Sequence, residues 1–145
     1  MDVLGRLLKP LFLAIALLGA AAAPALAGDK VVYHIDNAAE QGLKALRNIR
    51  NHLDVAPDTK IVVVTHAEGV DMLLDGAKDP KSGTLYEPLV AGLKDRGVTF
   101  EVCQITMKRR NLDKDKFVME ADFTPSGVVR IAQLQSQEHY AYIKP

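Results

Sequence analysis

Cys103 is the only cysteine in the chain. A thiol attacks as its thiolate, and a helix N-terminus or nearby cations favour that form. Cys103 ends an expected strand and stands three residues before Thr106, which can cap a short helix; Lys108, Arg109 and Arg110 follow. Two readings stay open. Either the thiol is kept for chemistry, or it is a small buried hydrophobe, because free cysteine is among the most buried residue types. His66 ends the preceding expected strand. Within hydrogen-bond reach it would accept the thiol proton or hold the thiolate as an ion pair; otherwise it is a polar residue capping the next turn. Asp36 and Asn37 could line the same cleft, although helix capping already accounts for them. The run Lys108-Arg109-Arg110 is either a solvated helix face or an attractor for an anionic sulfur species or a partner's acidic patch.

Other chemistries have no residues to carry them. His34 lies inside a strand, His52 on a helix and His139 near the end of the chain, and no metal-ligand spacing joins them. G-x-G-x-x-G, P-loop and G-x-S-x-G patterns are absent, which argues against the standard nucleotide sites and the serine-hydrolase elbow. No metal or other cofactor is therefore expected.

The N-terminus reads as a cleavable secretory signal over residues 1–27. Arg6 and Lys9 give the positive region, Leu11 to Leu18 the apolar region, and Ala25-Leu26-Ala27 an A-x-A cleavage site. The rival reading is an uncleaved anchor, but the second half of the run is alanine-rich and marginal for a span. Residues 28–145 are then one domain in the periplasm, with no membrane contact after cleavage. Loss of Asp2, Arg6 and Lys9 takes the formal charge from zero to about −1, so nothing attracts nucleic acid electrostatically. In an oxidising compartment a lone thiol has no internal partner, which sharpens the question posed by Cys103.

The elements that must position these groups alternate. Lys30 to Ile35 reads as a strand, and Asn37 with Glu40 three residues on opens a helix whose expected apolar face is Ala39, Leu43, Leu46, Ile49 and Leu53. Lys60 to Thr65 is a near-continuous apolar run, as in strands buried on both faces. A short helix is expected over 68–74, a loop over 75–84, and a helix marked by Tyr86, Leu89, Val90 and Leu93. Val98 to Gln104 is a third strand, with Phe100 and Val102 on one face and Glu101 and Cys103 on the other. A fourth strand is expected over 120–123. Thr124 and Pro125 then read as cap and first residue of a last helix with stripe Val128, Ile131 and Leu134, and a short strand ends the chain.

This order predicts a three-layer α/β/α fold with a mostly parallel sheet of about five strands. Ligands of such sheets gather beyond the carboxyl ends of the strands. Here those ends are Asp36-Asn37, Thr65-His66, Cys103 through Thr106, and Thr124 to Gly127, which makes Asp36, Asn37, Thr106 and Ser126 the ligand-cleft candidates beside Cys103 and His66.

The segments Lys30-Val-Val-Tyr-His-Ile-Asp36, Ile61-Val-Val-Val-Thr-His66 and Gly97-Val-x-Phe-x-Val-Cys103, with the ending Pro125-Ser-Gly-Val128 through Leu134-Gln135 to Ala141-Tyr-Ile-Lys-Pro145, resemble the DsrE/DsrF-like proteins. The resemblance implies a compact α/β domain that assembles as homo-oligomers. It also implies that Cys103 stands where sulfur-relay members carry sulfane sulfur as a persulfide between a donor and an acceptor protein. His66 is implied only as a cleft neighbour. The relay members are cytoplasmic, and the exported branch that this chain resembles mostly lacks an assigned activity. The alternative expectation is a non-enzymatic, homo-oligomeric binding or structural module with Cys103 in its core.

Overall fold

The computed structural model describes residues 28–145; the expected signal, residues 1–27, lies outside the described residues. Five strands form one parallel sheet: β1 (Lys30–Asn37), β2 (Lys60–Glu68), β3 (Thr99–Cys103), β4 (Ala121–Thr124) and β5 (Ala141–Ile143). Their spatial order is β4-β3-β2-β1-β5. Four helices connect them: α1 (Ala38–Val55), α2 (Glu87–Lys94), α3 (Gln104–Arg110) and α4 (Gly127–Ser136), with 3-10 turns at Gly69–Leu73 and Lys114–Lys116. The expected α/β class with a parallel five-stranded sheet is the one observed.

The sheet is covered unequally. On one side α1, α2 and the first 3-10 turn bury Tyr33, Ile35, Ile49, Val63, Val90 and Phe100 in the main core. On the other side α4 lies across β1, β2 and β3, over a small cluster of Val32, Val62, Val64, Ile131 and Leu134. Alternation along the strands puts His34, His66, Glu101, Cys103 and Tyr142 on this thinner side. Glu101 is only 8% exposed and takes Arg130 of α4 in a fork, with Arg130 Nε 3.1 and 3.0 Å from its two oxygens. Arg130 Nη1 also reaches Glu138 at 2.7 Å. This bridge fixes α4 on the sheet with its N-terminus above the end of β3.

Five local expectations change. The buried face of α1 is Ala38, Gln41, Ala45, Leu46, Ile49 and Leu53, and Ala39 faces solvent. Asn37 caps the helix as expected, accepting from the Glu40 N–H, but Gln41 rather than Glu40 reaches back, accepting from the N–H groups of Asp36 and Asn37. The cap of α4 is Ser126, not Thr124, because Thr124 is held in β4 opposite Cys103. The helix therefore begins two residues later and Val128 turns outward, 63% exposed, leaving Ile131 and Leu134 as its buried stripe. Thr106 likewise is not the cap of α3. That position belongs to Cys103, and Thr106 lies in the first turn.

β1 and β2 run in register from Lys30 opposite Lys60 to Ile35 opposite Thr65, then slip, so that Asn37 faces Glu68. Two residues of β2, His66 and Ala67, thus oppose Asp36 alone, which is a bulge. Ala67 takes the left-handed conformation, φ 48°, which costs a non-glycine residue about 1–2 kcal/mol. Side chains of α3 hold it there: Thr106 Oγ1 accepts from the Ala67 N–H at 3.0 Å, and Arg110 donates to its carbonyl at 3.3 Å. Just after the bulge, Gly69 packs so close to β1 that a β-carbon would lie 2.0 Å from the Ile35 carbonyl oxygen.

Candidate functional site

The ends of β2 and β3 and the first turns of α3 and α4 enclose a cleft of about 420 Å³. Its walls are His66, Ala67, Cys103, Ile105, Thr106, Arg109, Arg110, Ser126 and Val128. Four of the expected site residues (Cys103, His66, Thr106 and Ser126) therefore meet in one place. Asp36 and Asn37 do not line it. Their polar atoms are engaged at the start of α1, where the Asp36 carboxylate accepts from Gln41 Nε2 at 2.8 Å and pairs with Lys144 at 2.6 Å. A second groove, between α1 and α2, has a volume of about 200 Å³; Leu46, Leu89, Leu93 and three arginines line it, with no nucleophile or base.

Cys103 exposes only 4% of its surface, yet it lines the cleft at the start of two helices. Burial alone pushes a thiol up. Here the N–H groups of Gly127, Thr106 and Ile105 and the Thr106 hydroxyl, at the first turns of two helices, outweigh burial and hold the thiol below the ordinary cysteine value. The donors from α3 do not close a formal cap hydrogen bond; they act as aligned dipoles that favour negative charge. The Thr106 hydroxyl is suited to this role because its oxygen already accepts from Ala67, which leaves its own proton for the sulfur.

Gly127 brings the second helix close. A β-carbon there would lie 3.2 Å from His66 Cβ, 3.3 Å from Cys103 Cβ and 3.4 Å from Val64 Cγ1. The absence of a side chain thus lets the first turn of α4 pack against the ends of β2 and β3, with His66 and Cys103 both beside the same point. Arg109 forms no ion pair among the described residues and lines the cleft, whereas Arg110 is tied to Asp71 at 2.7 Å. The apolar rim is exposed at Ile105 and Val128. A thiol held below its ordinary value, the start of two helices beside it and one uncommitted guanidinium suit nucleophilic attack on a small anionic or electrophilic group.

His34 is the residue that sequence spacing missed. Its Nε2 lies 2.6 Å from His66 Nε2, and its Nδ1 lies 2.6 Å from the Tyr142 hydroxyl. The ring centroids are 4.7 Å apart and the planes differ by 27°, so the two imidazoles meet edge to edge through these nitrogens. Burial first, then the charges of His66 and Lys144, push His34 down to about 4. Burial likewise lowers His66. Both rings are therefore neutral near pH 7. Alternation along each strand fixes the face each histidine takes, His34 with Val32 on β1 and His66 with Val64 on β2. The strand order that makes β1 and β2 adjacent supplies the rest.

Residues 14–145 match the sequence profile of the DsrE/DsrF-like family. Among solved structures, a protein of unknown function from Methanobacterium thermoautotrophicum is 30% identical with a TM-score of 0.70, the match covering 81% of this chain and 99% of that one. The ychN protein from E. coli has the same coverage at 16% identity and a TM-score of 0.66, a likeness of fold. No curated protein matches.

Proposed function

Because the chain belongs to the DsrE/DsrF-like family, we propose that it is an exported sulfur-binding domain that holds a sulfane sulfur as a persulfide on Cys103. The observation that carries this reading is the place of one thiol, at the cap of α3 and beside the start of α4, in the wall of an open cleft. With thiosulfate as donor, the Cys103 thiolate attacks the outer sulfur, the S–S bond breaks, and sulfite leaves with the electron pair. A persulfide anion replaces the thiolate in the same cradle. A partner thiol then removes the outer sulfur by the reverse exchange, whose rate follows thiolate fraction and access. The exposed rim of Ile105 and Val128 offers a landing surface for that partner or for a second copy of the chain in a homo-oligomer. The periplasm is the compartment that fits the expected signal.

Mass spectrometry after treatment with thiosulfate or polysulfide tests this. Wild type should gain one sulfur and Cys103→Ser none; equal gains in both remove Cys103 as the carrier. The slight exposure of Cys103 favours a second reading, a binding or structural module whose thiol only fills space. In that case alkylation near neutral pH would need denaturant.

A further inference from the structure

We propose that Tyr142, His34 and His66 form a proton relay that carries the Cys103 thiol proton from the cleft to solvent at the free edge of the sheet. This deepens the sulfur-binding reading and rests on Cys103 being the reacting thiol.

The geometry sets strict terms. The two 2.6 Å contacts run in series from Tyr142 on the edge strand β5, through His34 on β1, to His66 on β2. Tyr142 is 41% exposed, so the outer end of the series meets water. A nitrogen-to-nitrogen hydrogen bond between neutral imidazoles holds one proton, so one ring must donate and the other accept. The Nε2 of His66 is committed to His34. That leaves Nδ1 as its free nitrogen, and His66 shares the cleft wall with Cys103, the β-carbons of the two lying 3.2 and 3.3 Å from one point beside Gly127.

Two complete arrangements satisfy every atom. In the first, His66 Nδ1 is bare, His66 Nε2–H donates to His34 Nε2, His34 Nδ1–H donates to the Tyr142 oxygen, and the phenol proton points to water. When the Cys103 S–H bond breaks, its proton goes to His66 Nδ1. The Nε2 proton passes to His34, the His34 Nδ1 proton passes to Tyr142, and the phenol proton leaves to water. The second arrangement results, with each bond reversed. Its His66 Nδ1–H faces the cleft as a donor to the new thiolate. The four transfers are concerted, so neither ring gains net charge, which agrees with the burial that keeps both imidazoles neutral.

The neighbours permit this. Asp36 on β1 and Lys144 after β5 neutralise each other at 2.6 Å, Glu68 stands at the end of β2, and Arg109 and Arg110 face the cleft from α3. From β3 only Cys103 faces the cleft, and α4 contributes Ser126 and Val128 at its start but no charged group. The alternative, an ion pair between thiolate and imidazolium, would place a cation in a ring that its surroundings keep uncharged.

The test is side-chain nitrogen NMR on histidine-labelled protein, titrated alongside the pH dependence of Cys103 alkylation by iodoacetamide. Both rings should stay neutral and exchange which nitrogen bears the proton, at one shared midpoint equal to the alkylation midpoint; Cys103→Ser should abolish the exchange. His34→Gln should freeze the His66 tautomer and slow alkylation at pH 7 about three- to fivefold through a higher thiol midpoint. Tyr142→Phe keeps the ring but removes the exit, and it should uncouple His34 from the thiol. Tautomers that hold constant across the thiol midpoint, imidazolium signals at that midpoint, or unshifted alkylation midpoints in both variants would each overturn the relay. Equal persulfide gain in wild type and Cys103→Ser would instead sink the sulfur reading, because the relay is read from alkylation and tautomers alone.

Discussion

Replacing Gly127 with alanine should raise the pKa of a thiol that the new methyl group barely touches. The added carbon would sit 3.2–3.4 Å from His66 Cβ, Cys103 Cβ and Val64 Cγ1. Two of those neighbours are β-carbons fixed to strands, so the first turn of α4 must retreat by a few tenths of an ångström. The Gly127 N–H, the largest of the stabilising contributions to the thiolate, retreats with it. A hydrogen bond to an ion is worth roughly 1.5–3 kcal/mol, and losing about half of one costs ~1 kcal/mol. That is just under one pKa unit, or roughly a fivefold drop in thiolate at any pH below the midpoint. Iodoacetamide rates measured from about pH 6 to about pH 10 read it directly. The Gly127→Ala curve should lie about fivefold below wild type at neutral pH and rejoin it at high pH. Helical circular dichroism should be unchanged, since the Arg130–Glu101 bridge still holds α4. A superimposable curve, or a loss equal at every pH, would refute the argument; the second result would mean blocked access rather than a weakened cradle.

Thr106→Val removes the hydroxyl that serves both the sulfur and the Ala67 N–H. It should raise the thiol midpoint and cost about 1–2 kcal/mol in urea unfolding, because the bulge loses a partner. Gly69→Ala forces a carbon against the Ile35 carbonyl and should cost about 2–4 kcal/mol, read by the same melts. His34 and His66 have folded pKa values below their unfolded ones, so the unfolded chain binds more protons in acid. Their contribution is complete above about pH 6.5 and is lost as pH falls toward about 4, the value that burial gives His34. Tm should fall over that window, by about 1–2 kcal/mol of stability after solvent screening, and His34→Gln should flatten the fall.

The large features were legible because they are written in periodicity. The apolar run Ile61 to Val64 suits a strand buried on both faces, and the alternation through Val98 to Cys103 sets Glu101 and Cys103 on one side without reference to any neighbour. The details that build the cleft depend on contacts between distant segments. Thr124 looks like a cap, and it fails as one because pairing with Cys103 keeps it extended. Thr106 looks like a cap as well, but its hydroxyl is claimed by a bulge in another strand. Nothing within the span from Lys60 to Glu68 announces that bulge, since Ala67 is an ordinary residue forced into a left-handed turn by α3 and by the slip against β1. The His34–His66 contact needed the strand order, which no local pattern encodes.

The lopsided covering of the sheet divides labour between its two sides. Most of the large buried side chains lie on the side of α1 and α2, while the reactive groups lie under one short helix held by a single arginine fork. Sequence change can therefore accumulate around the thiol, at Ile105, Val128 and Val129, without drawing on the packing that keeps the chain folded. One scaffold of this kind can be retuned for new donors or acceptors by exchanging a handful of surface residues.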